Sequence, residues 1–193
     1  MSEMVKQLEA VLHAAARPVS VAELINLFPE GSRPIPEQIQ ACLNELQVFY
    51  NERGVELVEV ATGFRFQTNV EFSHLVPSLF EEKPPRYSRA LMETLALIAY
   101  RQPITRSEIE EIRGVTVSTH ILKTLQDHEW AQVIGYREVP GRPALYATTK
   151  QFLDHFGLKS LEQLPPLAPK KDLELIARQL EQQLCVSVIE EGS

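Results

Sequence analysis

Long apolar runs are missing from this 193-residue chain: no stretch reaches the roughly 18 uninterrupted residues that a membrane helix needs. Cysteine is scarce too. Cys42 and Cys185 are too few and too far apart for a disulfide framework or a zinc site, and Cys42 falls in an apolar helical pattern where a buried free thiol is expected. Only eight glycines occur, and the chain lacks a Gly-x-Ser-x-Gly elbow, a phosphate-cradling glycine loop ending in Lys and Ser or Thr, and a His-Glu-x-x-His pair. The histidines (His13, His74, His120, His128 and His155) are scattered, and His120 and His128 are too far apart for adjacent helical turns to chelate a metal. Glu108, Glu110 and Glu111 fit a helix start and a solvated face rather than acid–base chemistry. No catalysis, cofactor or metal is expected. The start, Met1-Ser2-Glu3-Met4, does not resemble a secretory signal, so a cytoplasmic location is expected.

Positive charge is also in short supply. Nineteen Lys and Arg face 26 Asp and Glu, a net charge of −7, which opposes general binding to a phosphate backbone. With 44% hydrophobic and 23% charged residues, the chain has the balance of an ordinary globular protein, long enough for one domain or two small ones.

What is present is a repeat. Residues 17 to 24, Arg-Pro-Val-Ser-Val-Ala-Glu-Leu, and residues 102 to 109, Gln-Pro-Ile-Thr-Arg-Ser-Glu-Ile, are helix starts of one design. Ser20 and Glu23 form a capping box with Val19 stapled onto Leu24; Thr105, Glu108, Ile104 and Ile109 fill the same roles. An apolar helix precedes each box, at about 3–15 and 89–101, the second starting at Ser88 with an apolar side so wide that it should be central to its core. A further helix follows each, at about 36–51 with Pro36 in its first turn, and at about 118–129. Then come alternating segments that predict hairpins: 55–60 with 64–68 across Ala61-Thr62-Gly63, and 133–138 with 144–148 across Val139-Pro140-Gly141-Arg142-Pro143.

Three helices and a two-stranded wing, twice over, predict a mainly α fold with small β-hairpins, α+β in class, arranged as two tandem winged-helix domains. The boundaries are 1–80 for the first domain, 81–88 for a linker carrying Pro84-Pro85, 89–167 for the second, and 168–193 for a tail. A short helix is expected over 150–156, and an amphipathic helix over 172–184, where Leu173, Ile176, Leu180 and Leu184 share a face.

Winged helices invite a DNA reading, in which the third helix enters the major groove. Residues 36–51 contain no Lys or Arg, and residues 118–129 contain only Lys123 against Asp127 and Glu129. That is poor equipment for direct readout, although a tandem winged-helix DNA-binding transcription regulator stays open as the alternative. Cations gather instead around the second helix and wing of the second domain: Arg101, Arg106, Arg113, Arg137 and Arg142, interleaved with Tyr100, Tyr136 and Tyr146. Two accounts compete, a solvated rim over packed aromatics and a recognition surface for a protein partner, where Arg and Tyr are common anchors.

The run Leu95-Ala96-Leu97-Ile98-Ala99-Tyr100-Arg101-Gln102-Pro103-Ile104-Thr105-Arg106-Ser107-Glu108-Ile109, with Ile112-Arg113-Gly114-Val115, Val139-Pro140-Gly141-Arg142-Pro143 and the stretch from Phe156 to Leu167, resembles the signature blocks of bacterial segregation and condensation protein B. The resemblance covers about residues 5 to 167, leaving the tail outside it. It implies a non-enzymatic accessory subunit of the bacterial condensin complex, acting in chromosome condensation, partition and cell division at the nucleoid. It also implies a homodimer formed through the first domains, with the second domains gripping the kleisin, segregation and condensation protein A, and through it the structural-maintenance-of-chromosomes ATPase. Direct nucleic-acid binding would be weak or absent. The motif residues expected to face the kleisin are Tyr100, Arg101, Gln102, Arg106, Glu111, Arg113 and Arg142, whereas Pro103, Ile104, Thr105, Glu108 and Gly114 are expected to cap and end helices.

Overall fold

The computed structural model describes residues 2–79 and 87–166; most of the linker expected at 81–88, the tail at 168–193 and the helix expected over 172–184 lie outside the described residues. Among the described residues the fold is mixed α+β, with seven α-helices and two small antiparallel sheets. The chain divides into two compact units, one holding the described residues up to Leu79, the other beginning before Tyr87.

In the first unit, α1 (Glu3–Ala14) starts at Ser2, whose hydroxyl accepts from the Val5 amide. Val5, Leu8 and Leu12 follow at helical spacing and are buried together. The second helix, α2 (Val21–Asn26), opens on the capping box: Ser20 Oγ accepts from the Glu23 amide at 3.2 Å, and Glu23 Oε2 accepts from the Ser20 amide at 3.0 Å. Pro36 occupies the first turn of α3 (Pro36–Tyr50), where its missing N–H costs nothing, and Ile39, Leu43 and Leu46 point inward. The hairpin β1 (Val55–Val60) and β2 (Gly63–Thr68) closes the unit, with Leu57 facing Phe66.

The turn is tighter than expected. Gly63 pairs with Val60, leaving only Ala61 and Thr62 between the strands. Arg65, which stands between Phe64 and Phe66 along β2, is only 9% exposed although neighbouring strand residues alternate in face. The stretch Gly157–Lys159 groups with this unit rather than with 89–156: the Ala61 amide donates to the Leu158 carbonyl at 3.0 Å, and Lys159 pairs with Glu59 at 2.7 Å.

The second unit repeats the order. Ser88 caps α4 (Arg89–Arg101), which buries eight of its residues, including Thr94, whose hydroxyl donates to the Ala90 carbonyl at 2.8 Å. That helix is central to its core, as its wide apolar side predicts. Ile104–Thr105 form a short strand, β3, and Thr105 caps α5 (Arg106–Arg113), which ends at Gly114 in the left-handed region with φ 71°. Then come α6 (Thr119–Asp127), β4 (Ala131–Tyr136), β5 (Ala144–Thr148) and α7 (Lys150–His155).

The second wing differs from its expected form in two ways. Its first strand begins at Ala131, two residues early, because Trp130 is buried against Tyr87, His128, His155 and Phe156 and Glu129 turns the chain sharply at φ 56°. β3 also joins β5, giving a three-stranded sheet in the order β3-β5-β4 with a bulge between Val133 and Gly135. A strand of two residues is too short to declare itself by alternation.

Candidate partner-binding site

The seven expected contact residues lie on three parts of the second unit: the end of α4, the helix α5 and the wing turn. Three are engaged inside the protein. Tyr100, half-buried, donates from its hydroxyl to the Pro165 carbonyl at 2.6 Å, and burial pushes its phenol pKa up. Gln102 ties the end of α4 to β5: its Oε1 accepts from the Thr148 amide at 2.8 Å, while its Nε2 donates to Thr148 Oγ1 at 3.0 Å and to the Ala99 carbonyl at 3.1 Å.

Arg113 is the most enclosed. Its side chain is 9% exposed, and Nη2 meets Glu93 Oε2 of α4 at 3.0 Å. Arg89 reaches the other oxygen of the same carboxylate at 2.8 Å. Burial works to raise the Glu93 pKa, but hydrogen bonds from Arg89 and Arg113 outweigh it and hold the carboxyl below its usual value. Arg113 Nε is buried with no acceptor among the described residues. The residue therefore fastens α5 to α4.

The remaining four look outward to different degrees. Arg106 is part-exposed and bonds Glu110 at 3.0 Å and Thr119 Oγ1 at 3.3 Å. Glu110 is itself held by the Val117 amide, at 2.9 Å, which together with Arg106 lowers its pKa. Arg101 and Glu111 are exposed, and their side chains make no hydrogen bond or ion pair among the described residues. Arg142 sits in the wing turn, 73% exposed, with Glu138 at 3.9 Å.

Arg137, at the end of β4, contributes a connection that sequence alone did not assign. Its Nη1 donates to Glu108 Oε1 at 2.7 Å, while Glu108 Oε2 accepts from the Thr105 amide and hydroxyl, both at 2.9 Å. One carboxylate thus closes the capping box and grips the wing, and its pKa is lowered first by the Thr105 amide and hydroxyl, then by Arg137. In the first unit the corresponding free oxygen, Glu23 Oε1, takes Arg17 at 2.7 Å, a residue just upstream of the box.

Apart from Tyr136, sequence reasoning passed over the apolar members of this surface. Ile112 and Val115 at the end of α5, and Ile134, Tyr136 and Val139 on the wing, are exposed. The only sequence signal for Ile134 is negative: Ala131 to Tyr136 carries no charge. Among the described residues no group of His, Cys, Asp and Glu is arranged to hold a metal, and no helix is long and apolar enough to cross a membrane. The geometry offers polar, aromatic and aliphatic contact area.

Comparison with known proteins agrees with the motif blocks. Residues 6–167 match the family model described as segregation and condensation complex subunit ScpB. The chain is 54% identical over 181 residues to a segregation and condensation protein B homolog of Coxiella burnetii, covering 94% of this chain and 87% of the relative. It is 45% identical over 162 residues to segregation and condensation protein B of Moorella thermoacetica, covering 83% and 80%. Among solved structures, ScpB from Mycobacterium tuberculosis is 28% identical, covering 81% of this chain and 96% of that one, with a TM-score of 0.37.

Proposed function

Because the chain belongs to the family of segregation and condensation complex subunit ScpB, we propose that it is a non-enzymatic accessory subunit of the bacterial condensin complex, acting in chromosome condensation and segregation. Its direct partner is the kleisin, segregation and condensation protein A, which links it to the structural-maintenance-of-chromosomes ATPase at the nucleoid in the cytoplasm. The observation that carries this reading is the family match, which runs through both units.

The second unit takes the kleisin. Arg101, Arg106, Glu111 and Arg142 supply polar contacts at a surface whose apolar members are Ile112, Val115, Ile134 and Tyr136, the mix of a neutral centre and charged rim that protein interfaces use. Tyr100, Gln102 and Arg113 serve the same surface by holding its elements in place. The first unit supplies a homodimer contact, supported by exposed Leu27, Ile35, Val48 and Phe49.

DNA binding is the weaker reading. The whole of α3 carries no Lys or Arg, and α6 has Lys123 set against Asp127, so the third helices lack the charge that phosphate contact requires. The test is a pull-down with the central region of the cognate segregation and condensation protein A. Arg101→Glu combined with Arg106→Glu should lower retention at least about tenfold, the equivalent of ~1.4 kcal/mol. Unchanged retention by a variant with an unaltered circular dichroism spectrum overturns the assignment.

A further inference from the structure

The wing of the second unit ends in an unguarded edge. In the sheet order β3-β5-β4 the central strand is β5, so among the described residues nothing pairs with the outer side of β4, which carries a row of backbone N–H and C=O groups. Proteins usually blunt such edges with Lys, Pro or inward-pointing charge. Ala131-Gln132-Val133-Ile134-Gly135-Tyr136 has none of these. Among the described residues, no backbone group of β4 bonds outside its own sheet.

Apolar side chains also stand in water along this edge: Ile134 is 53% exposed and Tyr136 58%, with Val139 exposed just beyond. Leaving a β-branched residue and an aromatic one uncovered on one strand costs hydrophobic free energy that a partner strand would recover. The bulge between Val133 and Gly135 leaves Ile134 unpaired with β5 and re-aims its side chain, so regular pairing is offered by Ala131–Val133 and an apolar contact by Ile134. Beside the start of the strand an open cleft of about 500 Å³, lined by Gln126, Glu129, Gln132, Val133, Lys150 and Gln151, can receive polar side chains of an added strand.

Charge says what kind of segment fits. The strand itself is neutral, but its wing end carries Arg142, whose side chain is 73% exposed and, among the described residues, meets only the solvated Glu138 at 3.9 Å. Arg137 at the same end is already committed to Glu108. The complementary segment is therefore uncharged and rich in β-branched residues, with an acidic side chain at the end that meets Arg142.

We propose that β4 is the docking edge for an extended segment of the kleisin, which adds as a fourth, antiparallel strand and covers Ile134 and Tyr136. This rests on the kleisin-binding reading above and specifies its mode: main-chain pairing supplies affinity, and the cleft and Arg142 supply register. The experiment is hydrogen–deuterium exchange of the full chain with and without the central region of the cognate segregation and condensation protein A. Backbone amides within Gln132–Tyr136 should slow at least tenfold in the complex, and Ile134→Lys, with an unchanged melting temperature, should bind at least tenfold more weakly.

Binding by the wild type with unchanged exchange along β4 overturns the strand-addition mode and leaves kleisin binding intact. No binding by the wild type overturns both. Slow exchange along β4 in the free chain that fades on dilution assigns the edge to a second copy and also overturns the proposal. Because the wild-type exchange pattern decides by itself, a variant that misfolds does not blunt the test.

Discussion

A methyl group on Gly63 would lie 2.3 Å from the Val19 carbonyl oxygen and 2.7 Å from the Ser20 amide nitrogen. Both are backbone atoms, the first in the bridge in which Val19 and Phe64 exchange hydrogen bonds of 2.9 Å and the second in the capping box, so neither can yield cheaply. Gly63→Ala should cost more than about 2 kcal/mol in urea unfolding, a large single-residue effect. Nothing in the sequence marks Gly63 apart from the other glycines, because the clash is with a strand more than forty residues upstream. Arg113 is a parallel case. Its polarity suggests a contact residue, and only the fold shows that its partner is Glu93, one helix earlier. Glu93→Gln leaves the buried guanidinium without a counter-charge, and about 3 kcal/mol of stability should be lost by the same measurement. If Arg113 serves the partner surface by position alone, the loss of kleisin binding in Arg113→Lys should follow its loss of stability, since a lysine cannot reproduce the planar guanidinium contact with Glu93.

Capping boxes were the most legible elements, because the hydrogen bonds that define them span three residues and need no tertiary knowledge. Both are present where the repeat places them. Thr105→Ala should cost about 1 kcal/mol. The first box also titrates. Arg17, then the Ser20 amide and hydroxyl, hold the Glu23 carboxyl down to about 2, from a reference of 4.5. A depressed carboxylate contributes stability above its unfolded value, and that contribution fades as pH falls between about 4.5 and about 2. Glu23→Gln should therefore flatten the pH dependence of stability in that window, with the difference shrinking in high salt because the pair is exposed. Hairpin register was less legible. The start of β4 depends on Trp130 finding its aromatic pocket, and the turn of the first hairpin depends on Gly63 reaching Val19, both long-range events.

For the whole chain, a net charge of −7 and third helices with almost no cations point away from nucleic acid. No retardation of duplex DNA is expected at about 150 mM salt; tight binding with a steep salt slope would reverse that conclusion. Light scattering of the purified protein should report a dimer, twice the 21.9 kDa of one chain, and a heavier species when the kleisin fragment is added. The overall class and the doubled plan were readable from spacing, whereas the partition of the surface residues was not. Seven polar or aromatic motif residues look alike in a sequence, yet Gln102 and Arg113 are consumed by internal bonds while Arg101 and Glu111 are left to water.

The duplicated carboxylate has a mechanical consequence. Glu23 spends its second oxygen on its own approach segment, but Glu108 spends it on Arg137, next to the turn of the second wing. The second wing and α5 are thereby linked by a tie rod, additional to the β3–β5 pairing, that the first unit lacks. A load on that wing is therefore shared with α5 through a charged contact as well as through strand pairing, whereas the first hairpin meets the start of α2 through the Val19–Phe64 bridge.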